Sequence, residues 1–115
     1  MDRNDSPIVV TGATGYVGGR LIPRLVAAGY SVRCVARRPE ELSDRLWKDQ
    51  VEIVQADLSK PEEILRALDG AKAAYYLLHS MSSSNDFAKV ESNMAQEFAI
   101  AAEAQNLKQI IYLGG

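Results

Sequence analysis

Gly12, Gly15 and Gly18 recur at three-residue intervals in the string Thr11-Gly12-Ala13-Thr14-Gly15-Tyr16-Val17-Gly18, a spacing suited to cradling a phosphate. An apolar run, Ile8-Val9-Val10, feeds into the string, and an amphipathic segment with Leu21, Ile22, Leu25 and Val26 leaves it. Strand, glycine turn and helix in that order make a glycine pattern read as a dinucleotide loop. Gly12 allows the tight turn off the strand. Gly15 lets a pyrophosphate come close to the backbone, and Gly18 lets the helix pack against the sheet. The unpaired N–H groups of the first helical turn, at the positive end of the helix dipole, then face the phosphates. Gly12, Ala13, Thr14, Gly15, Tyr16, Val17 and Gly18 are therefore candidate cofactor contacts. No Gly-Lys-Ser/Thr follows, so this is not a P-loop; a glycine-rich turn that serves packing alone is the competing explanation.

A second group follows the next apolar strand. Dinucleotide folds place there the side chain that reads the adenosine ribose: an acid for the 2′-hydroxyl of NAD, an arginine for the 2′-phosphate of NADP. This chain reads Ala36-Arg37-Arg38-Pro39, with no acid before Glu40, and Arg37 lies 25 residues after Gly12. A guanidinium fork can take a phosphate through two hydrogen bonds and stack on adenine. The expected cofactor is NADP, with NAD as the alternative. Two adjacent arginines leave open which one faces the ribose, and both could simply be solvated. Asp57-Leu58 ends the third strand and is also the natural opening of a turn. Leu77-Leu78-His79-Ser80 ends the fourth, which sets Leu78 and His79 beside the ribose and pyrophosphate by position alone. His79 is the only histidine, and a lone histidine at a strand end is more often a structural hydrogen-bonder than an acid or base. One His and one Cys make no metal cluster, and no Ser-His-Asp arrangement is suggested.

The elements that must position these residues alternate along the chain. Strands are expected at Ile8 to Thr11, Ser31 to Ala36, Val51 to Ala56, Ala73 to Leu78 and Gln109 to Leu113. The fourth is apolar enough to be buried on both faces. A first helix spans Tyr16 to about Ala28, closed by Gly29, although Pro23 should bend it at a cost of ~3 kcal/mol. Pro39 to Lys48 reads as a short charged helix or loop. Ser59-Lys60-Pro61-Glu62 carries a capping-box pattern and an early proline, so a helix is expected there, stopped by Gly70. After a polar loop from Ser80, Phe87, Val90, Met94 and Phe98 mark one face of a long helix. Strands joined by helical crossovers imply an α/β fold, a doubly wound parallel sheet of Rossmann type in the order 3-2-1-4-5.

The Thr-Gly-Ala-Thr-Gly-Tyr-Val-Gly string resembles the nucleotide loop of extended and atypical short-chain dehydrogenase/reductases. Within them it is most similar to the NAD(P)H-binding group that includes the nitrogen-metabolite-repressor type proteins and isoflavone-reductase-like enzymes. The resemblance covers essentially all of residues 1–115 but only the first half of a family member, which implies an NAD(P)-binding domain that stops before the substrate-binding half. It also implies that Asp57 hydrogen-bonds the adenine amino group while the Leu58 backbone contacts the ring. Catalytic members use a Tyr-x-x-x-Lys pair, in which the lysine lowers the tyrosine pKa. Counting four residues on from each tyrosine gives Arg20, Cys34, His79 and Ser80, and Tyr112 has no fourth residue after it. Strand five ends in Leu113-Gly114-Gly115 rather than a serine run. Both departures point to the atypical group. The implied function is hydride transfer to a small-molecule substrate in the full-length protein, with this chain alone binding cofactor without turnover. A non-catalytic NAD(P)-binding regulator or scaffold is the alternative, and a methyltransferase, which shares the architecture, is disfavoured by the three-glycine spacing.

Composition fits that reading. The 115 residues are 47% hydrophobic and 24% charged, with a formal net charge of −2, ordinary for one globular domain. Scattered lysines and arginines give no footprint for nucleic acid. No apolar run approaches the ~18 residues of a membrane span, and the polar start, Met1 to Pro7, is unlike a signal peptide. The expected address is cytoplasmic and the expected partners are a dinucleotide and a small substrate, with homo-oligomerisation through an uncovered fifth strand. Cys34, in an apolar strand, is expected to be a buried thiol.

Overall fold

The computed structural model describes residues 6–13, 15–77 and 85–112. Its strands are β1 (Ile8–Thr11), β2 (Val32–Ala36), β3 (Glu52–Gln55), β4 (Ala73–Tyr76) and β5 (Gln109–Tyr112); its helices are α1 (Tyr16–Ala27), α2 (Pro61–Leu68) and α3 (Asn85–Ala104). The five strands form one parallel sheet in the order β3-β2-β1-β4-β5. β1 is central and fully buried, because alternate side chains enter two different cores. Ile8 and Val10 join Val32, Cys34 and α1's Ile22 and Leu25 on one face. Val9 joins Val35 and Ala74 with Ile64 and Leu68 of α2 and Phe98 of α3 on the other. That double burial is why β1 carries an unbroken apolar run instead of an alternating one.

Local chemistry sets the helix ends. α1 closes in a Schellman motif: Gly29, at φ +91°, donates to the Val26 carbonyl and Tyr30 to that of Leu25. Asn106, at φ +63°, closes α3 the same way, with bonds from Asn106 to Glu103 and from Leu107 to Ala102. Pro23 sits on the exposed side of α1, which continues past it to Ala27; water can there serve the carbonyl the proline leaves unbonded.

Two expectations need correction. Ser59 does not cap α2. The helix begins at Pro61, behind Lys60, with no side-chain cap. Ser59 is instead folded back onto Asp57, while Glu63 Oε1 accepts the Asp57 N–H at 2.7 Å. The segment from Pro39 to Lys48 is a short charged helix or loop as expected: a 3-10 turn at Pro39–Leu42, with a second following at Lys48–Gln50, beside buried Leu42 and Trp47. β4 is shorter than expected, and only its α2–α3 face is fully buried, since Ala73 and Tyr75 are half-buried on the other side. Thr14, the stretch from Leu78 through Ser84, the side chains of Phe87 and Val90, and Leu113 to Gly115 lie outside what is described. Among the described residues no helix is long and apolar enough to cross a membrane.

Candidate functional site

The carboxyl ends of β1, β2 and β3 open onto a cleft of about 300 Å³ beside the point where the strand order reverses. Such a switch point is where open α/β sheets hold their ligands. Its walls include Gly12 and Ala13 after β1, Val35 to Arg38 around the end of β2, Glu41, Ala56 to Leu58 after β3, and Met94 of α3.

At the β1 end, Gly12 takes φ +71° and accepts a hydrogen bond from the Gly15 N–H at 3.0 Å, closing the turn. A Cβ on Gly12 would lie 3.2 Å from the Leu77 Cβ. A Cβ on Gly18 would fall on the Gly12 carbonyl oxygen and 3.0 Å from the Ala13 Cα, so Gly18 lets the helix seat on its own loop rather than on the sheet. Gly15 is different. Its backbone is extended, and among the described residues a Cβ there would meet only the Gly12 oxygen, at 3.4 Å. Neither backbone strain nor packing against the described residues demands glycine at that position.

α1 begins behind Gly15 with no side-chain cap and no acidic residue in its first turn. The N–H groups of Tyr16, Val17 and Gly18 precede the first intrahelical bond, from Gly19 to Gly15, and so have no acceptor within the helix. An uncapped, uncharged helix start beside an unexplained glycine fits a dinucleotide pyrophosphate. Tyr16 and Val17 are exposed, and the Tyr16 ring lies 5.1 Å from the Arg20 guanidinium.

Arg37 and Arg38 both reach the cleft and both are exposed. Arg38 Nη1 stands 3.9 Å from Glu41 Oε2. Arg66, which lines an adjoining hollow with Arg37, Asp57 and Glu63, pairs with Glu63 at 3.8 Å and donates to the Gln55 carbonyl. Arg37 differs from both: among the described residues its guanidinium has no carboxylate at ion-pair distance, and only its main-chain carbonyl is engaged, by the Gln55 amide. Asp57 is an Asx turn. Its Oδ1 accepts from the Ser59 hydroxyl at 2.7 Å and the Ser59 N–H at 2.9 Å. Those two bonds, with weaker help from Lys60 and Arg37, hold its carboxyl below the usual carboxylate value. Leu58 is buried beneath the cleft.

The structure thus gathers Gly12, Ala13, Arg37, Arg38, Asp57 and Leu58 into one cleft, with Gly15 to Gly18 starting the helix beside it. Thr14, Leu78 and His79 are outside the described residues. Three contributors are not evident from local sequence. Glu41 was discoverable as an i,i+3 partner of Arg38 in a proline-led turn. Met94 belongs to the apolar helix face and also reaches the cleft. Thr11, fully buried, donates through Oγ1 to the Tyr75 carbonyl and accepts from the Leu77 N–H, both at 3.1 Å, and so joins the loop after β1 to the end of β4.

Comparison with known proteins agrees with this geometry. Residues 12–115 match the NAD(P)H-binding family. Dihydroflavonol 4-reductase of Hordeum vulgare is 30% identical over 97% of this chain and 35% of its own length. The NmrA-like family domain-containing oxidoreductase FrzB of a Cladobotryum species is 31% identical over 94% of this chain and 33% of its own. The triphenylmethane reductase of a Citrobacter species, solved in complex with NADP(H), superposes with a TM-score of 0.76 at 29% identity, over 92% of this chain and 36% of that one. The chain therefore spans about a third of the length of these relatives. With a family match that runs over residues 12–115, the chain belongs to the NAD(P)H-binding family of atypical short-chain dehydrogenase/reductases.

Proposed function

We propose that this chain is the cofactor-binding part of an NADP-preferring reductase that transfers hydride to a small-molecule substrate. The observation that carries the NADP preference is Arg37, a cation with no carboxylate at ion-pair distance among the described residues, at the end of β2 in the same cleft as the Gly12 turn. In this reading the N–H groups of Tyr16, Val17 and Gly18 take the pyrophosphate against the Gly12–Gly15 turn, Arg37 takes the 2′-phosphate, and Asp57 and Leu58 flank the adenine. Thr14, Leu78 and His79 are assigned beside the phosphates and ribose from sequence position. When bound, the dinucleotide supplies the hydride, while the protein supplies binding and orientation. The reductase names of the relatives, and the NADP(H) held by the Citrobacter enzyme, support the same assignment. A cytoplasmic address and homo-oligomerisation belong to the reading as well.

An arginine–phosphate fork is among the stronger polar contacts, and a hydrogen bond to a charged group contributes ~1.5–3 kcal/mol. NADPH should therefore bind roughly tenfold to a hundredfold tighter than NADH. Calorimetric titration of wild type, Arg37→Ala and Arg38→Ala tests this. The preference should vanish in Arg37→Ala and largely persist in Arg38→Ala, whose guanidinium already has Glu41. Equal wild-type affinities would sink the NADP assignment. Tight NADPH binding by the full-length protein, with no oxidation across a panel of carbonyl acceptors, would favour a regulator over a reductase.

A further inference from the structure

Glu41 is not among the dinucleotide contacts assigned above, yet it faces the same cleft as both arginines. Its position is fixed from both sides. Pro39 starts the 3-10 turn, the Glu41 N–H donates to the Arg38 carbonyl at 3.0 Å, and the next side chain, Leu42, is fully buried. With the backbone so placed, the half-exposed carboxylate lies at the rim of the cleft, 3.9 Å from Arg38. We propose that Glu41 is a specificity-determining residue that weakens acceptance of the 2′-phosphate and so sets how sharply the site separates NADP from NAD. The inference rests on the NADP reading above.

Two effects act in the same direction. Glu41 adds a negative charge to the wall that would face an incoming phosphate, where like charges repel. It also occupies Arg38 as a counter-ion, so that only Arg37 is offered uncommitted. The other charged groups do not cancel this bias. Asp57 is turned onto Ser59, and Arg66 and Glu63 pair with each other in the adjoining hollow. A ligand without a 2′-phosphate lacks the group on which both effects chiefly act. Glu41 thus tunes the ratio of affinities and leaves binding of the shared adenosine and pyrophosphate alone.

The test uses 2′,5′-ADP and 5′-ADP as probes, titrated calorimetrically into wild type, Glu41→Gln, Glu40→Gln and the double variant Arg38→Ala/Glu41→Gln. Exposed charge interactions of this kind change an affinity by a few-fold each. Glu41→Gln should tighten 2′,5′-ADP about three- to tenfold, leave 5′-ADP unchanged, and lose most of that gain at high salt. The double variant should keep part of the gain, because the direct repulsion is still relieved. Glu40→Gln removes an equal charge from the exposed neighbour and should do nothing. An equal effect on both probes, an equal gain from Glu40→Gln, or weaker 2′,5′-ADP binding in Glu41→Gln would overturn the inference while leaving the NADP reading intact. An Arg37→Ala variant that keeps the wild-type ratio, or a wild type that takes up neither probe, would remove the NADP reading and the inference with it.

Discussion

A methyl group on Gly15 would meet little protein, whereas one on Gly18 would fall on the backbone of Gly12 and Ala13. The two substitutions should therefore fail differently. Gly15→Val should leave the circular dichroism and melting curve near wild type and remove most dinucleotide affinity, since its side chain fills space the protein does not use. Gly18→Ala should lower stability by ~1–3 kcal/mol, the usual cost of forcing extra volume into a packed site. Near-normal binding by a folded Gly15→Val protein would mean that the loop is not the phosphate site. Thr11 poses a related question. Its hydroxyl bonds the Tyr75 carbonyl and the buried Leu77 N–H. Thr11→Val should cost ~1–3 kcal/mol in denaturant unfolding, because it removes both hydrogen bonds of a buried hydroxyl. A loss below a few tenths of that would show that the bridge is dispensable.

At the scale of elements, α2 depends on a side chain from another strand. Arg33 of β2, mostly buried, donates through Nη1 to the carbonyls of Ala67 and Asp69 at the end of α2, and through Nε to Glu52 of β3. A cation at a helix carboxyl end also opposes the dipole there. Arg33→Met keeps the aliphatic stem but loses three charged bonds, so unfolding should become easier by ~2 kcal/mol or more. Hydrogen exchange should quicken first in α2. Protection in α2 that stays at wild-type level would argue against the arginine as its cap. None of this was legible locally, because Arg33 and Ala67 are 34 residues apart. Strand identities and sheet order, by contrast, could be read from the sequence, since apolar runs separated by helical patterns admit few topologies. The glycine loop was equally legible, being local in sequence. Ser59 misled for a simple reason: the capping pattern was present, but Asp57 lies nearer to its hydroxyl than the helix start does. The unequal partnering of Arg37 and Arg38 also needed coordinates, since it turns on one carboxylate in a neighbouring turn.

For the whole molecule, the formal net charge of −2 supplies no strong field to draw in an anion, so salt-sensitive preference between cofactors must come from the few arginines at the cleft. Stability is a matter of the two cores. Cys34, in the core that α1 covers, is fully buried, and desolvation pushes its thiol from 9.0 up to about 12. The folded protein thus keeps this proton where the unfolded chain has released it. Between those two values the unfolded state binds fewer protons, so its share of the stability is complete below about pH 9 and falls as pH rises. Each pH unit in that window should cost ~1.4 kcal/mol from this one group. Lysines and tyrosines titrate in the same range, so the quantity to follow is the difference between wild type and Cys34→Ala in denaturant unfolding. That difference should be constant from pH 7 to about 9 and then shift against wild type as pH rises further. The native thiol should meanwhile resist a soluble disulfide reagent at neutral pH and react on unfolding. A difference that stays flat to pH 11, together with rapid labelling of the native protein, would mean that β2 opens to solvent far more readily than its burial implies.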